Sequence, residues 1–266
     1  MTLLSTPVAL THVRRLLTWA VCGGLTAVAA ACSTKEAPGP LEPSGPVGRV
    51  RFVNVITDPA RNPVNALLEN LPFGVNLTYT TSTPASLPAP STANYAAVLA
   101  GSRSIVLVRT AAPTVTVATL TFTVDQDQDR TVYAIGGAGS TPVTAFLTTD
   151  VNTAPTSTQT RLRVVQLSPT AGAIDVFVTA DGADLSTATP TVANLAYQGV
   201  STYLTLAPGT YRIRAVAAGT APANRATSVT IDVTGVVLPG GGGRTIVTAD
   251  NSTGGAPLRA FVLTDR

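Results

Sequence analysis

Arg49-Val-Arg-Phe-Val-Asn-Val55 returns 112 residues later as Arg161-Leu-Arg-Val-Val-Gln-Leu167, and this pair decides the architecture. Both stretches alternate, with Val50 and Phe52, or Leu162 and Val164, separated by arginines. A period of two marks a strand with one face in a core. Three further matches follow in the same order. Leu99-Ala-Gly101 matches Leu206-Ala-Pro-Gly209, and Arg130-Thr-Val132 matches Arg244-Thr-Ile246. Ala145-Phe-Leu147, ending in Asp150, matches Ala260-Phe-Val262, ending in Asp265. The offsets stay between 107 and 115 residues. A near-constant period of this length means duplicated domains, not a solenoid.

Each copy reads as all-β. Short runs rich in Val, Thr, Ile and Leu are divided by Gly, Pro, Asp or Asn, the composition of strands and turns. Thr116-Val-Ala-Thr-Leu-Thr-Phe-Thr-Val124 and Tyr211-Arg-Ile-Arg-Ala215 alternate strictly. The expected fold is two tandem immunoglobulin-like β-sandwiches, 49–150 and 161–266, each of roughly seven strands. A polar Thr/Pro linker, 151–160, joins them. The copies should correspond strand for strand at both ends but not in the middle, where the first carries the Pro-rich stretch Thr83 to Ser91. Phe146 and Phe261 are expected in the sandwich cores, and 161–266 is expected to fold alone. Asn54 and Gln166 fall on the inward face, where a buried amide needs hydrogen-bond partners. Tyr211, after the turn Ala207-Pro-Gly209, should bury its ring and offer its hydroxyl to the backbone.

The N-terminus reads as an export signal. Arg14 and Arg15 precede a charge-free apolar run, Leu16 to Ala31, which ends Ala29-Ala30-Ala31-Cys32-Ser33. Its length suits a signal h-region better than a membrane span. Small residues before a cysteine resemble a lipobox, with Ala29 where Leu is usual, and Cys32 is the expected lipidation site. The three alanines also satisfy an ordinary A-x-A cleavage site. A retained signal anchor is the third reading, and Arg14-Arg15 faintly resembles a twin-arginine signal. Ser33 after the cysteine resembles lipoproteins sorted to the outer membrane. Residues 1–31 are thus a lipoprotein signal peptide and 32–48 a Pro/Gly-rich spacer.

Removing residues 1–31 takes away His12, Trp19, Met1 and Cys22, the only residue of each type apart from Cys32. Arg14 and Arg15 leave too, so 15 basic residues face 14 acidic ones, a charge of +1. Such a balance offers no concentrated basic footprint for nucleic acid. Ser-His-Asp and Cys-His catalysis, and zinc held by His or Cys, lack their residue types. Lysine chemistry would need Lys35, which sits in the spacer. No disulfide can form within the mature chain, and no cofactor is expected.

Several patterns remain as candidates. Arg161, Arg163, Arg212 and Arg214 sit at alternate positions of two strands; if these are neighbours, the four guanidiniums form a basic stripe for phosphate or carboxylate polymers. Solvation or nearby acids explain the same pattern. Asp125, Asp127 and Asp129 alternate in a way that could hold Ca²⁺. Arg130 replaces the expected Gly, however, and Gly136 the bidentate Glu, so an exposed turn is the plainer reading and binding no tighter than about millimolar is expected. Asp175, Asp181 and Asp184 leave carboxylate-based hydrolysis formally open, although Asp181-Gly182 is a turn signal. Gly240 to Gly243 precedes a strand and lacks the Lys and strand-to-helix setting of a phosphate loop.

The stretches 161–182 and 192–216 resemble domain-of-unknown-function family 4397, a bacterial surface-protein domain often found in tandem. The residues that carry the resemblance are Arg163-Val-Val165, Ser168-Pro169, Asp175 between Ile174 and Val176, Asn194-Leu195, Tyr203-Leu204 and Pro208-Gly209-Thr-Tyr211. It is strong over 161–266 and weaker over 49–150. Gln166 stands where that family commonly has His. The resemblance implies a β fold and a surface location, and brings no reaction and no site residues.

The expected protein is therefore a non-enzymatic, lipid-anchored envelope module, held to the membrane through Cys32 and facing a surface protein or an envelope polysaccharide. The alternative is a glycan- or polymer-binding accessory. Lacking Trp, it would stack sugars on Tyr79, Tyr95, Tyr197 or Tyr203. A carboxylate hydrolase comes last.

Overall fold

A computed structural model describes residues 45–84 and 95–265. Cys32, the signal peptide, almost all of the spacer and most of the Pro-rich stretch lie outside the described residues. Residues 43–266 group as one compact unit.

The first half has nine strands: β1 (Val47–Ile56), β2 (Val64–Leu68), β3 (Leu71–Leu77), β4 (Ser82–Thr83), β5 (Ala96–Leu99), β6 (Gly101–Arg109), β7 (Ala112–Val124), β8 (Asp129–Gly136) and β9 (Thr144–Asp150). The second half has nine more: β10 (Thr160–Gln166), β11 (Ile174–Thr179), β12 (Val192–Leu195), β13 (Gly199–Val200), β14 (Leu204–Leu206), β15 (Gly209–Ala217), β16 (Ile231–Leu238), β17 (Gly243–Ala249) and β18 (Arg259–Thr264).

In the first half one sheet runs β4-β1-β8-β9, with β5 also on β1, and the other runs β3-β2-β6-β7. In the second half the sheets are β13-β10-β17-β18, with β14 on β10, and β12-β11-β15-β16. Every pairing of one half thus recurs in the other. This includes the parallel pairs β1–β8 and β10–β17 and the short middle strands. The expectation of about seven strands that correspond only at the ends is corrected on both counts. Strands of two to four residues, such as β4, β5, β13 and β14, are too short to show a period in sequence.

Each half is a sandwich around its own apolar core. Val50, Phe52 and Ile56 meet Ile105, Leu107, Leu120 and Phe122 in the first. Leu162 and Val164 meet Ile174, Ile213, Ile231 and Leu238 in the second. The inward amides are satisfied as required. Asn54 donates through Nδ2 to the carbonyls of Leu77 at 3.0 Å and Thr78 at 3.2 Å, and accepts from the Ile56 amide. Gln166 donates to the Gly172 carbonyl at 2.9 Å and accepts from the Ser168 amide and the Thr248 hydroxyl. Tyr211 packs on the second core and donates to the Ala207 carbonyl at 2.8 Å, the tie of a tyrosine corner.

The other face of β1 and β10 is not solvated. Val53, Val55, Tyr133 and Ile135 of one half pack against Val165, Leu167, Val247, Ala249 and Leu263 of the other, so a third core lies between the sandwiches. The compact unit of residues 43–266 is four sheets deep. Phe146 and Phe261 were expected inside the sandwiches, but both sit half-buried against this middle core. Their parity along β9 and β18 is that of Asp150 and Asp265, which face the same way.

Candidate functional site: a buried charged seam

The middle core carries charge. Arg51 and Arg163 are both 1% exposed, and Asp150 and Asp265 are 6% and 3% exposed. Four ionised side chains in an apolar interface must be paired and hydrogen-bonded. Here the hydrogen-bonded pairing is exchanged between the halves, although Arg51 Nη2 also lies 3.5 Å from Asp150 Oδ2 of its own half. Arg51, on β1, donates Nη2 to Asp265 Oδ1 at 2.9 Å and Nη1 to the Thr264 carbonyl at 2.9 Å. Arg163, on β10, donates Nη2 to Asp150 Oδ1 and Nη1 to the Thr149 carbonyl at 3.0 Å. A threonine completes each side. Arg51 Nε donates to Thr131 Oγ1 at 3.0 Å, and Thr131 donates to Asp150 Oδ2. Arg163 Nε donates to Thr245 Oγ1 at 2.8 Å, and Thr245 donates to Asp265 Oδ2 at 2.6 Å.

Tyrosines close the two ends. The Arg51 guanidinium lies 4.7 Å from the Tyr95 ring centroid, and that of Arg163 lies 4.9 Å from the Tyr203 ring centroid. Tyr95 donates to Asp150 Oδ2 at 2.6 Å, and Tyr203 accepts from the Val151 amide at 3.2 Å. Tyr133, next to Phe146 with ring centroids 6.1 Å apart, enters from one half only, since its counterpart on β17 is Val247.

The electrostatics follow from this crowding. Burial alone would push the Asp150 carboxyl upward. The Arg163 and Arg51 guanidiniums, with hydrogen bonds from Thr131 and Tyr95, outweigh burial and hold it below the ordinary carboxylate range. Burial likewise opposes the charge on Arg51 and Arg163, and the surrounding anionic and phenolic groups more than restore it. Burial pushes the Tyr95 and Tyr133 phenols well above their usual value and Tyr203 to about 12. The four charged groups of the seam are all hydrogen-bonded and none is accessible, while the buried Tyr133 hydroxyl beside them has no hydrogen-bond partner. The seam is built as a clamp between two domains.

The residues singled out from sequence divide. Arg163 is in the seam. Arg161 is two positions earlier, part-exposed, with Nη1 on the Thr153 carbonyl at 3.0 Å. Arg212 and Arg214 lie on β15, in a different sheet from β10, so the four guanidiniums do not form one stripe. Arg212 grips Asp232 at 2.8 and 2.6 Å and also meets Asp181 at 3.2 Å. Arg214 donates to Thr179 Oγ1 and the Ala183 carbonyl. Alternation along a strand shows which residues share a face but not which strand is next to it.

The aspartates of the 125–129 turn diverge. Asp125 pairs with Arg130, and Asp129 accepts both Nε and Nη2 of Arg49 at 2.6 Å. Asp127 sits in the left-handed region at φ 59°. Among the described residues, no three ligating side chains gather into a metal site. Asp175 binds the Asn194 and Gly219 amides, and Asp184 the Ser186 amide and hydroxyl. Three of the four tyrosines considered for stacking sugars are engaged: Tyr95 and Tyr203 lie under arginines, and Tyr79 donates to the Asp250 carbonyl across the seam. Tyr197 is exposed.

Sequence reasoning passed over Arg51, Thr131, Thr245, Asp150 and Asp265 as site residues. Their signal was present. The repeated positions Arg51/Arg163, Thr131/Thr245 and Asp150/Asp265 are the seam itself. Polar residues kept at equivalent places in both halves mark a reciprocal contact.

Residues 48–177 match DUF4397, a domain of unknown function. The DUF4397 match covers the first sandwich and continues through β10 into β11, so it includes Arg51, Asp150 and Arg163. This reverses the expectation that the second copy carries the stronger resemblance. A comparison with curated proteins finds no match. Among solved structures, a cell-adhesion candidate from Bacteroides ovatus ATCC 8483 aligns at 7% identity over 81% of this chain and 95% of its own, with a TM-score of 0.23. An adhesin candidate from Bacteroides ovatus aligns at 11% identity over 79% and 90%, with a TM-score of 0.16. Likenesses at these scores define neither a shared fold nor a shared partner.

Proposed function

We propose that the chain is a non-enzymatic module of the bacterial cell envelope, tethered by lipid on Cys32 to the outer membrane, that presents two clamped β-sandwiches to other surface molecules. The observation that carries this reading is the exchanged seam. Its four charged groups, all shielded from water, are spent on fixing one sandwich against the other. The carboxylates weighed for hydrolysis support the same view: Asp175 and Asp184 hold turns and strand ends, and Asp181 lies beside Arg212. Among the described residues no helix is long and apolar enough to cross a membrane. The attachment proposed is the lipid on Cys32, which follows the apolar run Leu16 to Ala31.

The test is direct. Mass spectrometry of the mature protein should find a diacylated or triacylated Cys32 at the N-terminus, and fractionation should place the protein with outer membranes. Cys32→Ser should leave it uncleaved or soluble. A mature N-terminus with unmodified Cys32 removes the anchor from the proposal. Hydrolysis of an envelope polymer by the purified chain, lost in Asp175→Asn, would replace the module by an enzyme.

A further inference from the structure

Sheet edges are where β proteins associate, and sequences usually protect them with charge, Pro, Gly bulges or short length. Most edges here are protected in that way. β16, which ends the outer sheet of the second half, carries Asp232 and a left-handed Gly235 at φ 67°. β3 contains Pro72 and Gly74 and breaks register twice against β2. β12 has only four residues, β9 ends on the charged Asp150, and β18 starts on the charged Arg259.

β7 has none of these protections over Leu120–Val124. It is the counterpart of β16 yet runs for 13 residues, Ala112–Val124, without one charged side chain. It ends its sheet and pairs only with β6. Its irregularities against β6 lie before Ala118, so Ala118–Val124 runs in unbroken register. Leu120, Phe122 and Val124 point into the core, and Thr119, Thr121 and Thr123 are exposed between them. Among the described residues no backbone hydrogen bond reaches the outer edge of Thr114–Val124. A groove of about 570 Å³ along Val115–Thr119 is walled by Asp58, Arg61, Arg109 and Pro142, so the uncharged free edge is Leu120–Val124, beyond that groove and beyond Pro113.

We propose that β7 is an association edge and that its occupant is the β7 of a second copy, paired antiparallel so that the outer four-stranded sheet continues across two molecules. Two features favour a copy of this chain. A strand without charge meets its own copy without like-charge repulsion, and Thr facing Thr is a favourable cross-strand pair. Antiparallel self-pairing is also closed: it uses up both edges and yields a dimer, not a fibre. The inference goes beyond the envelope-module reading and stands on the sandwich alone, whatever anchors Cys32.

The test uses the mature chain in solution. Sedimentation should show a monomer–dimer equilibrium, and hydrogen exchange at Leu120–Val124 should slow as concentration rises, while exchange at Ile231–Leu238 stays constant. The double substitution Thr121→Lys with Thr123→Lys adds like charges to both strands. It should weaken the dimer about tenfold or more while circular dichroism stays unchanged. Thr121→Glu with Thr123→Glu should do the same, and an equimolar mixture of the two variants should pair again. A wild-type chain that stays monomeric to millimolar concentration, or a dimer indifferent to both double variants, overturns the proposal. Should the variants misfold, the concentration dependence of exchange in the wild type decides alone.

Discussion

Arg51 shows how strongly context sets the worth of one residue. On a solvated strand its loss would be nearly silent. In the seam it faces Asp265 at 2.9 Å with both side chains 1% exposed. Arg51→Ala leaves a buried carboxylate without its cation, and the expected loss is about 3–5 kcal/mol in denaturant unfolding. Replacing both partners, Arg51→Met with Asp265→Leu, should cost far less than the sum of the single changes, because neither charge is then stranded. A double-mutant cycle measures this coupling. Arg163 and Asp150 should behave alike; a cycle showing additivity at either pair would mean the exchanged contacts are not formed. The pH dependence follows from Asp150. Its folded carboxyl titrates below the unfolded one, so the unfolded chain takes up protons first as acid is added. The contribution to stability is complete above the unfolded aspartate range near pH 4 and is lost as pH falls through the folded value. On the alkaline side Tyr95 and Tyr133 titrate above their unfolded range, so their contribution is complete below about pH 10 and declines above it. Added salt should change the acid limb little, since buried pairs are weakly screened.

At the level of elements, much was legible. The duplicated opening strands, the Pro-Gly turn before Tyr211 and the inward amides at Asn54 and Gln166 all follow from alternation and turn chemistry, and the structure bears them out. What alternation cannot supply is the partner of the outward face. Arg49-Val-Arg51 reads as apolar inside and charged outside. For Arg51 outside proved to mean the other sandwich, while Arg49 stays part-exposed on Asp129 of its own half; only the repetition of the same polar residues in both halves hinted at that. Phe146 and Phe261 moved for the same reason: they share parity with Asp150 and Asp265 and so belong to the seam. Their truncation should therefore cost less than that of Phe52, which is fully buried in the first sandwich. Phe52→Ala is expected to lose about 3–5 kcal/mol, and Phe261→Ala clearly less, by equilibrium unfolding. Equal losses would place Phe261 back in a core. β18 offers a sharper test. Its strand ends at Thr264 and the clamp needs the next residue, so removing Asp265 and Arg266 should destabilise the molecule about as much as Arg51→Ala, although no sandwich residue is touched.

For the whole molecule, two sandwiches in one chain suggest two independent folding units, with 161–266 the more autonomous. The middle core argues otherwise. Separated, the second half would expose Val165, Leu167, Val247 and Leu263 to water and leave Arg163 and Asp265 each without its partner from the first half. Both losses act on the same surface, and each half fills the gap of the other. Where the interface between domains is that costly to open, a half-unfolded state is scarcely populated and the two transitions merge into one. Calorimetry of the intact chain should therefore give a single endotherm whose calorimetric and van't Hoff enthalpies agree. Fluorescence of the seam tyrosines and far-UV circular dichroism should trace one coincident curve. Weakening the seam should uncouple the halves without unfolding them. Arg51→Ala with Arg163→Ala strips both cations from the clamp but leaves each sandwich core intact, and it should split the endotherm into two. A wild-type chain that already melts in two steps would show that the seam joins the sandwiches without making them one cooperative body, and isolated 161–266 should then fold by itself.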